Sequence, residues 1–223
     1  MHVVPETVHQ ALYGRGILDL AVDPAVSLRS GRTGRQPRRR KERRTKRFPD
    51  MVMIRDKPAE VISRLVPGHR EGELVIGKGG RSAIGTLVER TTRSIVLGHL
   101  EGNRGAENLR DRLADTLGAL PAFLRRSLTW DQGTEMACHQ DFTRRTLIPV
   151  YFYDPASPWQ RGSNENTNGL LRQYFPKGTD LSVDSPEHLS KVAAELNHRP
   201  CETLGWQSPV ERLATLSSSA LEP

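Results

Sequence analysis

Two acids, an amide and a cation stand at spacings that suit phosphate chemistry. Asp131 closes the apolar run Ser127-Leu128-Thr129-Trp130 and precedes Gln132-Gly133, so its carboxylate sits where a core strand emerges into a turn. Glu165 lies near the start of a helix expected over 163–175. At about 100° per residue, Glu165, Asn168, Gly169 and Arg172 share one face while Leu170, Leu171 and Tyr174 gather opposite. A helix packed through its leucines then offers an acid, an amide, bare backbone and a cation on its free face. Phosphoryl transfer on nucleic acid commonly uses two divalent ions about 3.5 to 4 Å apart, held by a few carboxylates that leave room for the scissile phosphate. Plainer readings stand beside this one: a turn aspartate before glycine, and a first-turn acid that favours the helix dipole behind Ser163. They do not account for Arg172, two turns beyond Glu165 and placed to hold a phosphate.

The surrounding pattern supplies elements to position these groups. Glu73 to Gly77, Ala83 to Arg90 and Ser94 to Leu100 read as three strands at hairpin distances, an antiparallel meander punctuated by Gly77, Gly79 and Gly80. Ala106, Leu109, Leu113, Leu117 and Leu120 recur at helical spacing before Pro121. Ser127 to Asp131 is a fourth strand, 133–146 a helix, and Val150 to Asp154 a fifth strand. Helices follow over about 163–175, 186–198 and 208–216, the last two entered through Ser185-Pro186 and Ser208-Pro209. Three strands, helix, strand, helix, strand and then helices is the order of an α/β ribonuclease-H-like fold, a mixed five-stranded sheet flanked by helices. Order alone says little about chemistry.

The motifs are more specific. Thr129-Trp130-Asp131-Gln132-Gly133-Thr134-Glu135-Met136, the stretch from Tyr151 to Gly178 that includes Trp159-Gln160-Arg161-Gly162-Ser163-Asn164-Glu165, and Asn197-His198-Arg199-Pro200 ahead of Thr203-Leu204-Gly205-Trp206 closely resemble the catalytic core of the IS-thirty family of DDE transposases. The resemblance runs from about Pro5 to Leu216. The family keeps 33 residues between its second and third acids, as Asp131 and Glu165 do here. It implies metal-dependent phosphodiester hydrolysis and strand transfer in DNA transposition. Two Mg²⁺ (or Mn²⁺) ions would be held by Glu73, Asp131 and Glu165, and element ends and target DNA would be partners of a homo-oligomer. Arg172 falls on the family's basic position seven residues after the glutamate.

Two departures accompany the match. Around Gly68 to Leu74 the family pattern has tryptophan at position 70 and aspartate at 73, where this chain has Arg70 and Glu73. Glutamate sets the carboxylate about 1.5 Å farther out, and a misplacement near 1 Å can cost on the order of a hundredfold in rate. Glu71 shares the strand face of Glu73 and is the weaker candidate for a ligand. The helix-turn-helix modules that precede the family's core are represented only by their tail, with a short helix expected over 6–14. A second reading follows: a catalytically weakened remnant that acts as a DNA-binding or oligomerising fragment, alone or with an intact transposase in trans.

Charge and composition fit either reading. The 223 residues carry a net charge of +7, and eleven basic residues against one acid lie between Arg29 and Arg47. That run, with Arg38, Arg39, Arg40, Lys41, Arg43 and Arg44 at its centre, has too little apolar surface for a core and reads as a disordered linker or an arm that neutralises phosphates. The expected organisation is a helix-turn-helix remnant over 1–28, a basic linker over 29–50 and the catalytic core over 51–223. Arg161, Asn168, Arg172 and Lys177 are the core's candidate DNA contacts. Trp159 stacks on DNA or packs under its loop, Lys177 contacts DNA or is an exposed cation, and Trp206 with Leu204 reads as core ahead of docking surface. His69 reads as a structural hydrogen-bonder. Cys138 and Cys201 cannot form a disulfide framework and match no zinc spacing. No run approaches the about eighteen apolar residues of a membrane span, and the opening residues lack signal-peptide character, which points to the cytoplasm.

Overall fold

In the computed structural model the chain divides at Glu42 and Arg43, and all described residues belong to the second unit. They are 48–100, 104–155, 157, 160 and 162–219. The expected helix over 6–14 and the basic arm lie outside them.

A mixed sheet of six strands organises the unit, in the order β1-β6-β5-β2-β3-β4. The strands are β1 Val52–Met53, β2 His69–Ile76, β3 Ala83–Glu89, β4 Ile95–Leu100, β5 Ser127–Trp130 and β6 Val150–Phe152. The helices are α1 Ala59–Ser63, α2 Ala106–Gly118, α3 His139–Thr146, α4 Gly162–Leu171, α5 Pro186–Asn197 and α6 Pro209–Ser219. Strands β2, β3 and β4 form the expected antiparallel meander, and β5, β6 and β1 extend it in parallel. The sheet therefore has one strand more than the five expected. Two residues carry no alternation, and only pairing with Tyr151 and Phe152 makes Val52 and Met53 a strand.

Alternating side chains divide the core. Leu74, Leu87, Leu128, Trp130 and Phe152 pack with Leu109, Leu113 and Leu117 of α2 and Phe142 of α3. Val75, Ile84, Val88 and Ile95 pack on the other face with Leu171, Phe175 and Leu189, Val192 and Leu196 of α5. The helix expected over 133–146 is a 3-10 turn at Thr134–Met136 followed by α3. The helix expected over 163–175 ends at Leu171, and hydrogen-bonded turns carry the chain on to Phe175.

Local signals fix the C-terminal helices. The Ser185 hydroxyl accepts the His188 N–H at 3.2 Å, with Pro186 in the first turn, a regular N-cap of α5. Ser208 and Glu211 form a reciprocal capping box for α6: Glu211 Oε2 accepts the Ser208 N–H at 2.7 Å and Ser208 Oγ accepts the Glu211 N–H at 3.3 Å. Asn197 ties α5 to the edge strand, its Oδ1 accepting the Ile95 N–H at 2.7 Å and its Nδ2 donating to the Ile95 carbonyl at 2.9 Å. That pair of hydrogen bonds is a structural use for the first residue of the Asn197-His198-Arg199-Pro200 motif.

Candidate active site

Sheet register brings the acids together. Strands β2 and β5 run parallel with Glu71 opposite Thr129. Two residues on, the same face carries Glu73 on β2 and Asp131 just past the end of β5, on neighbouring strands about 4.8 Å apart. Asp131 holds an Asx turn, its Oδ1 accepting the Gly133 N–H at 2.9 Å. The amide of Gln132 donates to the Tyr153 carbonyl at 2.9 Å and holds the turn against the strand after β6.

Helix α4 closes over the end of β2. Asn168 Nδ2 donates to Glu73 Oε2 at 2.9 Å, and Thr86 Oγ1 donates to the Glu73 carbonyl at 3.0 Å. The Arg172 guanidinium reaches back to the carbonyls of Ile76 and Phe175, each at 3.3 Å. Burial lowers the pKa of Arg172, and the nearby Glu73 carboxylate opposes that shift. The backbone of Glu165 belongs to α4, one turn before Asn168. Among the described side chains of α4, Asn164, Thr167 and Leu171 are buried and Leu170 is half-buried. Leu171, with Leu170 and Tyr174, packs on the apolar cluster as expected, and Asn168 on the flank of the helix meets β2. Lys177 is exposed in the turn beyond the helix. Arg161, Trp159 and the arm residues Arg38, Arg39, Arg40, Lys41, Arg43 and Arg44 lie outside the described residues. Among the described residues, no three His, Cys, Asp or Glu side chains form a ready-made metal cluster.

One carboxylate went unnoticed in the sequence. Glu135 follows Asp131 by four residues, and the 3-10 turn at Thr134–Met136 folds it back beside that aspartate. Burial first, and also the charge of Asp131, hold the Glu135 carboxyl above its ordinary range, against its own backbone N–H and the Trp130 indole N–H. The glycine between the two acids was the available signal.

One pleat below the acids lies a buried polar layer. Glu71, Thr129 and Tyr151 share a row of the sheet. Glu71 is 1 % exposed and pairs with Arg90 Nε at 2.9 Å, off the line of a good hydrogen bond. Lys57 donates to Thr129 Oγ1 and stands over the Tyr151 ring at 5.0 Å from its centre. Burial, then the charge of Arg90, lower its pKa to about 7 despite Glu71. His69 shares 2.8 Å with Ser127 Oγ through Nδ1, the structural role expected of it. Arg70, which replaces the resemblance's tryptophan, is 2 % exposed, and its Nε and Nη1 have no hydrogen-bond partner. Burial lowers its pKa to about 10, with Glu89 opposing. Trp206 contradicts the core reading: it is 68 % exposed, at a backbone φ of 70° after Gly205. The tight loop from Cys201 to Gln207 turns it outward.

The sheet order and the helices packed on its two faces define a ribonuclease-H-like α/β fold. Its backbone resembles a chain in the simian T-cell lymphotropic virus intasome bound to PP2A regulatory subunit B56 gamma, with a TM-score of 0.53 and 18 % identity over 66 % of this chain and 54 % of that one. No family model matches the sequence. The transposase for insertion sequence element IS1086 of Cupriavidus metallidurans is 48 % identical over 214 residues, 96 % of this chain and 63 % of that protein. Transposase InsI for insertion sequence element IS30A of Escherichia coli is 42 % identical over 214 residues, 95 % of this chain and 55 % of that protein. The transposase for IS4351 of Bacteroides fragilis is 33 % identical over 165 residues, 74 % of this chain and 50 % of that protein. The chain is therefore a homologue of the insertion-sequence transposases of the IS30 type, and it spans 63 % and 55 % of the first two of these relatives. Among the described residues no helix is long and apolar enough to cross a membrane.

Proposed function

We propose that this chain is the catalytic core of a DNA transposase, with Glu73, Asp131 and Glu165 as the acids that hold divalent metal. The observation that supports the reading is the pairing of Glu71 with Thr129, two residues before Glu73 and Asp131, together with the bond from Asn168 of the helix that carries Glu165 to Glu73. Carboxylate oxygens are hard donors that suit Mg²⁺ or Mn²⁺. When bound, such ions neutralise charge on the scissile phosphate and stabilise the attacking and leaving oxygens of an in-line displacement. The chain's own part is to aim the acids and position the DNA. Asn168 fixes the long Glu73 side chain, and Arg172 puts a cation beside the acids for a phosphate. Hydrolysis at the element end frees a 3′-hydroxyl, which then attacks a target phosphodiester and displaces the target's bridging oxygen. Neither displacement needs a covalent bond to the protein. Joining of a pre-cut end to target DNA by the natural chain, present in Mn²⁺ and absent with chelator, tests the proposal.

A second reading, a weakened remnant that binds DNA or oligomerises with itself or an intact transposase, draws on Glu73 and on the buried Arg70 guanidinium, whose Nε and Nη1 have no hydrogen-bond partner among the described residues. The two readings share a DNA-binding forecast. Eleven cations between Arg29 and Arg47 displace counterions from DNA, and we propose that this arm supplies most nonspecific affinity. Deleting residues 29–47 flattens the slope of log affinity against log salt, and an unchanged slope assigns binding to the core and its candidates Arg161, Arg172 and Lys177.

A further inference from the structure

The site that the proposed function rests on has an acid that the three-carboxylate reading leaves unused. We infer that Glu135 is a positioning residue of that site, a carboxylate set against Asp131 that orients it and deepens the negative potential offered to a divalent cation.

The geometry centres on Gly133. Its N–H is accepted by Asp131 Oδ1 at 2.9 Å. A Cβ built on it would fall 2.1 Å from Glu135 Oε1, 2.2 Å from Oε2 and 2.3 Å from Cδ. The Glu135 carboxylate thus occupies the space a side chain at 133 would fill, while Asp131 holds the N–H of the same residue. Gly133 has an extended backbone, φ −70° and ψ 151°, which any residue adopts. Its lack of a side chain serves the carboxylate behind it and no turn conformation. The Trp130 indole N–H steadies that carboxylate from the strand end.

A structural role alone does not explain an acid there. An amide in the same place would still accept the indole N–H without pressing a second negative charge on Asp131. Two adjacent carboxylates destabilise one another in the free protein and favour a dication beside them. Stability surrendered at a charged cluster in exchange for affinity is a recurrent arrangement at functional sites.

The trade has a signature. In the full 223-residue chain, Mn²⁺ binding is followed by the free ion's electron paramagnetic resonance, and melting is followed in chelator. Glu135→Gln should weaken Mn²⁺ binding by about tenfold, the lower range for a residue that orients a metal ligand. Its metal-free melting temperature should be unchanged or higher. Glu135→Asp, which keeps the charge, should retain most of the affinity. Gly133→Ala, whose methyl would meet the Glu135 carboxylate first and displace it, should weaken binding as Glu135→Gln does, and the pair together should add nothing. The inference is overturned if Glu135→Gln binds Mn²⁺ as the natural chain does, or if it loses affinity only along with melting temperature. If the natural chain binds no Mn²⁺ that Asp131→Asn abolishes, the metal reading itself falls and takes this one with it.

Discussion

Asp131→Asn and Glu165→Gln should each cut metal-dependent joining of a pre-cut end by on the order of a thousandfold or more, since each replaces an anionic ligand with a neutral one at a site meant for two dications. Asparagine at 131 keeps an oxygen for the Gly133 N–H, now 2.9 Å from Asp131 Oδ1, so the turn survives and the loss reports charge. DNA binding measured by salt titration should be untouched, because phosphate affinity comes from cations. Joining that persists in either variant would remove that residue from the site.

Gly72 carries the largest expected effect on stability. A Cβ there would meet Trp130 Cζ3 at 2.1 Å and Cε3 at 2.3 Å, with Leu87 Cδ2 at 3.2 Å. Trp130 is a rigid ring at the centre of the core, so it cannot step aside as the end of Glu135 can. Gly72→Ala should cost about 1–3 kcal/mol or more, and Gly72→Val more again, read as the midpoint of denaturant unfolding. Gly72 lies between Glu71 and Glu73, and Trp130 precedes Asp131. A shift that relieves the clash therefore moves both acids, and joining should fall even where the variant folds. An Ala variant as stable as the natural chain would show that β2 and β5 do not pack through this glycine.

Much of this was legible in the residues. The meander, the helix carrying Leu109, Leu113 and Leu117, and the helix starts at Ser185 and Ser208 follow from periodicity and caps, which are local. Asp131 was legible because a polar acid ends an apolar run. What escaped depends on contacts across the sheet. Val52 and Met53 are a strand only because Tyr151 and Phe152 lie beside them. Glu135 stands beside Asp131 only because a 3-10 turn folds it back past Gly133. The bond from an Asn168 amide N–H to Glu73 likewise joins residues far apart in the chain, and it leaves the expectation of a DNA contact at Asn168 standing. Trp206 read as core because it is large and apolar, yet a seven-residue loop closed by Cys201 and Gln207 turns it outward. Arg70 shows the reverse: its chemistry argued against burial and the strand register buried it, opposite Leu128 and Glu89.

The central claim is that a two-metal strand-transfer site survives here with an elongated first acid. The most direct measurement compares Mn²⁺-dependent joining by the natural chain, by Glu73→Asp, and by Glu73→Asp combined with Arg70→Trp, each fused to an end-recognition domain. The account predicts joining in the natural chain and about tenfold to a hundredfold more in Glu73→Asp, the range associated with a misplacement near 1 Å. The double variant should join as Glu73→Asp does and melt higher, its tryptophan replacing a guanidinium whose Nε and Nη1 lack partners. If all three fold and bind DNA yet none joins strands, the chain is a remnant and the account is contradicted.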